Sequence, residues 1–191
     1  MFTALTAWEA GILLWVQNTL RSPLFDPIVL FFTNLGSAGA LFILLTALLL
    51  VFPRTRRVGL ATALALLCSL LFTNLILKNL FQRVRPWEAF DFLRNMVVER
   101  DTSFPSGHTS AAFAFALAVV RAGPKEWRGS KLAVVVLALL MGLSRLYVGA
   151  HYPTDVLAGA LVGSLAGVTG WYLSTLLLRR FPKLAPADIQ T

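Results

Sequence analysis

Five long apolar runs, separated by short basic clusters, constrain this chain more than any other feature. They extend from about Pro27 to Phe52, Val58 to Phe81, Gly107 to Val120, Leu132 to Ala150 and Pro153 to Leu178. A helix needs about 20 apolar residues to cross roughly 30 Å of hydrocarbon, and four of the five runs are long enough. Composition agrees: 57% of the residues are hydrophobic, 14% are charged and the mean hydropathy is +0.73. A soluble domain carries about a quarter charged residues. The expected fold is all-α, a polytopic transmembrane helix bundle occupying residues 1–191 as a single domain. Five spans are expected, plus an N-terminal helix from Phe2 to Leu20. That helix carries Trp8 and Trp15 among Glu9, Gln17 and Asn18, which suits either an interfacial helix or a sixth crossing.

The third run is too short to cross. Its fourteen residues rise only about 21 Å. If its Arg121 end sits at one interface, its Gly107 end stops below the other, and the free N–H groups there need partners. The connection from Gln82 to Ser106 is too long for a hairpin and is expected to be functional, as a lid or as an interfacial loop.

The net charge of +8 and a pI near 10.6 would fit a nucleic-acid binder, but basic clusters between apolar runs report topology instead. Threaded through five spans, one face receives ten basic residues, including Arg54, Arg56, Arg57, Lys131 and Arg179, against Glu126 and Asp188 alone. The other face receives seven basic and seven acidic residues. The positive-inside rule puts the first face and the C-terminus in the cytoplasm of a cell membrane and turns the 82–106 connection outward. Cys68 is the one cysteine, which excludes a disulfide framework and a thiolate metal cluster.

Three blocks of ionisable residues fall at the outer ends of these runs: Lys78-x6-Arg85-Pro86, Pro105-Ser106-Gly107-His108, and Ser144-Arg145-x5-His151-x3-Asp155. Taken singly, each has a plain explanation. Lys78 and Arg145 could snorkel to headgroups, Arg85-Pro86 could punctuate a helix end, His108 could be incidental to a helix start, and His151 and Asp155 could share a structural hydrogen bond. Together they carry both histidines of the chain to one membrane face, where ionisable groups are costly. Three cations around a helix N-terminus form a phosphate trap, with amides and guanidinium groups as donors. Pro153 suits the first helical position, placing Asp155 in the first turn, within reach of His151. A carboxylate on one ring nitrogen fixes the tautomer and leaves the other nitrogen nucleophilic. His108, with no carboxylate in its block, is free to exchange a proton.

The three blocks resemble the type 2 phosphatidic acid phosphatase superfamily, whose pattern reads Lys-x6-Arg-Pro, Pro-Ser-Gly-His and Ser-Arg-x5-His-x3-Asp. Every position of that pattern is matched between Lys78 and Asp155. The resemblance implies a six-helix bundle, a phosphohistidine intermediate, and neither metal nor cofactor; the five clear spans depart from that helix number. It further implies that His151 attacks phosphorus, Asp155 orients it, and His108 protonates the leaving oxygen and then activates water. Lys78, Arg85, Ser106, Gly107 and Arg145 would bind the phosphate.

The implied activity is hydrolysis of a lipid phosphate in the bilayer, with no nucleic-acid partner. Undecaprenyl diphosphate suits an outward-facing site; phosphatidylglycerophosphate, phosphatidic acid and lipid A phosphates are the alternatives. A silent lipid-phosphate binder or flippase would keep the cations yet could discard His151. A vanadate-dependent peroxidase is disfavoured by the lipid-embedded composition. Gly159, Gly163 and Gly167 on the fifth run read most simply as a helix-packing stripe.

Overall fold

A computed structural model describes residues 2–181; Lys183 and Asp188, used in the charge count, lie outside them. The helices are α1 (Phe2–Thr19), α2 (Asp26–Leu35), α3 (Ala40–Val51), α4 (Arg56–Ser69), α5 (Lys78–Phe81), α6 (Pro86–Ala89), α7 (Gly107–Ala122), α8 (Arg128–Tyr147) and α9 (Pro153–Arg180). A π-helical stretch, Leu70–Leu77, joins α4 to α5 without a break. The protein is an all-α, multi-pass membrane bundle.

Among the described residues, three helical segments are long and apolar enough to cross a membrane: Pro53–Ala89, Arg128–Tyr147 and Pro153–Arg180. A fourth crossing arises if α2 and α3 act as one, bent by 52°. The expected five spans with an N-terminal helix are therefore met only in part. The continuous run expected from Pro27 to Phe52 is broken because Gly39 adopts a left-handed φ of 74°, which a helix cannot propagate. The run expected to end at Ala150 stops at Tyr147. α1 buries Ala10, Leu13 and Val16 and leaves Trp8 and Trp15 largely exposed, but it is not among the segments apolar enough to cross.

The centre of the bundle is α7. Ala112, Ala114, Ala116 and Ala118 are fully buried there, so α9, α8 and α4 pack closely around its backbone. α9 presents Gly163 and Gly167 to α7 and Leu157, Leu161 and Leu165, each more than 60% exposed, to the outside. For a helix in lipid that outer face needs no protein partner. α7 starts at Gly107, as the sequence spacing expects, and its 16 residues rise about 24 Å. Its N-terminus lies beside that of α9, where the Ser106 amide donates to the Asp155 carbonyl oxygen at 3.0 Å.

Candidate active site

Helix ends deliver each of the residues singled out above. Lys78 opens α5, directly after the π stretch; such wide turns frequently accompany functional sites. Arg85 precedes Pro86, the first residue of α6. Ser106 caps α7, its hydroxyl accepting from the Thr109 amide at 3.4 Å and the Thr109 hydroxyl at 2.9 Å. Arg145 occupies the last turn of α8. His151 lies in the short connection to α9, and Asp155 in that helix's first turn.

Lys78, Arg85, Gly107, His108 and His151 line one cavity of about 580 Å³. Ile43, Leu66 and Leu70 add apolar side chains to its lining. Arg145 faces an adjoining cavity of about 350 Å³, which it shares with His108 and Glu99. The structure thus brings both histidines and all three cations to one place, although they are spread over more than seventy positions. Ser106 lines neither cavity, and its hydroxyl accepts from Thr109 as the α7 cap. Asp155 lies behind His151, also outside the lining.

The two ring nitrogens of His151 have different surroundings. Nε2 lies 3.4 Å from Arg85 Nη1, and Nδ1 lies 3.6 Å from Asp155 Oδ2, just beyond hydrogen-bonding distance. That carboxylate oxygen also accepts from the Tyr152 amide at 2.9 Å and from the Ser103 hydroxyl. Burial depresses the His151 imidazolium to a pKa of about 4, the nearby Asp155 carboxylate opposing it and Arg85 adding to it. His108 Nε2 and Arg145 Nε are buried without a hydrogen-bond partner among the described residues, an uncommon condition for buried polar atoms.

Four residues absent from the sequence-level site contribute directly. Asp101 binds both Lys78 and Arg85, and Glu99 binds Arg145. The cations are therefore not an open trap, since carboxylates of the 82–106 connection occupy them. Burial pushes the Asp101 carboxyl up, but Lys78 and Arg85 outweigh it and hold it below the usual carboxylate range. Arg83 donates to Asp155 Oδ1 at 2.6 Å and to Glu9 Oε2 at 2.5 Å. The clue available in the sequence was slight: Glu9 is the only charged residue in an otherwise uncharged helix, and Arg83 lies two positions before Arg85. Among the described residues no group of three His, Cys, Asp or Glu side chains could hold a metal ion.

Similarity to known proteins follows the same residues. The family model of the PAP2 superfamily matches residues 56–179. An undecaprenyl-diphosphatase of Sulfolobus acidocaldarius is 33% identical over 123 residues, covering 62% of this chain and only 56% of that protein. The crystal structure of Aquifex aeolicus LpxE superposes with a TM-score of 0.74 at 30% identity, covering 85% of this chain and 93% of that one. A Bacillus subtilis structure, the first transmembrane PAP2 type phosphatidylglycerolphosphate phosphatase, gives a TM-score of 0.72 at 27% identity, covering 94% of this chain and 88% of its own. The matched residues include all three sequence blocks, and the chain belongs to the PAP2 superfamily.

Proposed function

We propose that this protein is a membrane lipid phosphatase that works through a phosphohistidine. The observation that carries the reading is the setting of His151: Nδ1 towards Asp155, and Nε2 towards Arg85 in a cavity that also holds His108. Nε2 attacks phosphorus, forming the P–N bond as the P–O bond to the lipid breaks, and His108 protonates the departing oxygen. Water, deprotonated by His108, then attacks phospho-His151 and releases phosphate. Lys78, Arg85, Arg145 and the Gly107 amide hold the phosphoryl oxygens, and Ser106 acts by capping α7. Fixed positive charge on the buried Lys78, Arg85 and Arg145 supplies the large stabilisation. Glu99 and Asp101 occupy the guanidinium donors that phosphate would take, so substrate must displace them.

The favoured substrate is undecaprenyl diphosphate, cleaved to undecaprenyl phosphate, in keeping with the name of the Sulfolobus acidocaldarius relative. A second reading, phosphatidylglycerophosphate, is favoured by the broader coverage of the Bacillus subtilis structure. Purified protein assayed for phosphate release from these two lipids, phosphatidic acid and lipid A should give the highest kcat/KM with the diphosphate. Release from none of the four would overturn the reading. Because Lys78, Arg85 and Arg145 surround the site, activity should survive EDTA and be inhibited by vanadate, which adopts the five-coordinate geometry of phosphoryl transfer. Magnesium-dependent activity, lost in EDTA, would contradict this mechanism.

Acid sensitivity gives a further check. Protonation removes the attacking lone pair, and burial moves the pKa of His151 down to about 4. The nucleophile should therefore stay active as pH falls through the ordinary histidine range near 6.5, and be lost only on approaching pH 4. An enzyme-side limb of kcat/KM at 6.5 would show that His151 is not held in this way.

The site opens to the extracytoplasmic side by the same reading, supported by the charge bias between the two faces. Asp91, in the 82–106 connection, and Lys125, between α7 and α8, are both exposed. Single cysteines placed there in a Cys68→Ala background should react differently with a membrane-impermeant thiol reagent on intact cells. Position 91 should label, and position 125 should be protected until the membrane is opened. The reverse pattern would put the site in the cytoplasm.

A further inference from the structure

Behind Asp155 lies a buried ionic chain that the proposed reaction does not use. Arg83 Nη1 donates to Asp155 Oδ1 at 2.6 Å and to the Thr154 hydroxyl at 2.8 Å, and its other terminal nitrogen donates to Glu9 Oε2 at 2.5 Å. The guanidinium also lies 4.0 Å from the centroid of the Tyr152 ring. Glu9 is fully buried, and its second oxygen accepts from the Thr154 amide at 2.8 Å and the Thr154 hydroxyl at 2.6 Å. Helix α1 thus reaches the first turn of α9 through a carboxylate, although 145 positions separate Glu9 from Thr154.

A buried carboxylate tied to a guanidinium loses most of its ability to stabilise positive charge elsewhere, because the pair is neutral. Asp155 beside Arg83 alone would be such a pair. Glu9 on the opposite side of the guanidinium restores a formal net charge of −1 to the trio, and that charge faces the imidazole. Arg83 meanwhile holds Oδ1, so that Oδ2 is the oxygen turned to His151 Nδ1. We propose that Glu9 and Arg83 are positioning residues for His151, acting through Asp155: Arg83 sets the carboxylate plane, and Glu9 holds Arg83 and keeps the trio anionic. The N-terminal helix is by this account part of the site's machinery. The inference rests on the proposed phosphohistidine reading.

The test compares Glu9→Gln, Arg83→Lys and Arg83→Gln in detergent-solubilised full-length protein, with dioctanoyl phosphatidic acid as substrate. Glu9→Gln should lower kcat by roughly ten- to hundredfold and leave KM within about twofold, because the phosphate-binding cations are untouched. In an Asp155→Asn background the same change should have no further effect on kcat. A merely structural role would lower the yield of folded protein or the melting temperature, with kcat per folded molecule near the parent value. A second readout does not need turnover. The chain has two histidines, so ¹⁵N-histidine NMR resolves them; Arg83→Gln and Glu9→Gln should shift the His151 ring nitrogens and leave His108 in place. Unchanged kcat and unchanged His151 resonances in Glu9→Gln would overturn the inference, as would an equal loss of kcat in the parent and Asp155→Asn backgrounds. A parent that releases phosphate from none of the four lipids named above would instead sink the phosphatase reading, and the NMR comparison would still decide the positioning role.

Discussion

His151→Ala should abolish phosphate release, with turnover falling by at least about 10³-fold, while the protein still binds vanadate or a lipid phosphate. On the proposed mechanism the side chain removed carries the attacking Nε2, whereas Lys78, Arg85 and Arg145 remain to hold the anion. Loss of the nucleophile leaves only charge stabilisation and binding to act on the bound ester, and such remnants are worth far less than the intact set. The variant should fold, because His151 sits in a connection between helices and its Nδ1 has no hydrogen-bond partner among the described residues. Asp155→Asn should be the milder change in kcat, since it removes orientation and imidazolium stabilisation but not the attacking atom. Activity of His151→Ala within tenfold of the parent would require a different nucleophile.

Gly163→Ala should produce the largest loss of stability of any Gly→Ala change in the bundle. A Cβ at Gly163 would lie 2.2 Å from the Ser110 carbonyl oxygen, which is helix backbone and cannot rotate away. One at Gly170 would lie 2.3 Å from the Ala65 amide nitrogen. Relief at position 163 requires α9 to move off α7. Overpacking of this kind costs about 1–3 kcal/mol, occasionally more, and the small residues along this interface are what allow the two backbones to approach. Because the α7 and α9 N-termini meet at Ser106 and Asp155, activity should fall together with the melting temperature in detergent. Gly129→Ala is the control: nothing lies within 4 Å of its Cβ position, so that variant should melt at or above the parent temperature. Equal melting temperatures for Gly163→Ala and the parent would show that α9 and α7 do not pack as described.

Much of the site was legible because it is local. Ser106 and Gly107 mark the start of α7, Pro153 and Asp155 mark the start of α9, and the spacing within each block puts its ionisable residues at a helix end. These are properties of a few adjacent residues: a side chain that caps, a proline that cannot donate, an apolar run that must be helical in lipid. The all-α membrane fold follows from the same runs. The bend between α2 and α3 was less visible, since Gly36 and Gly39 sit inside a stretch whose hydropathy alone reads as one span.

The partners of the charged groups were decided by the tertiary structure alone. Counting Arg83, Glu9, Glu99 and Asp101 as outer-face charges weighs each by its sign, and sign says nothing of which opposite charge it will meet. Glu9 meets Arg83 across 74 positions, and Arg145 meets Glu99 across 46. Those meetings depend on how the 82–106 connection settles against α1 and α8. In a low-dielectric interior an unpaired charge is costly, so each buried ion must find a partner. Sequence shows that the requirement exists; only the packed helices choose which residue meets it.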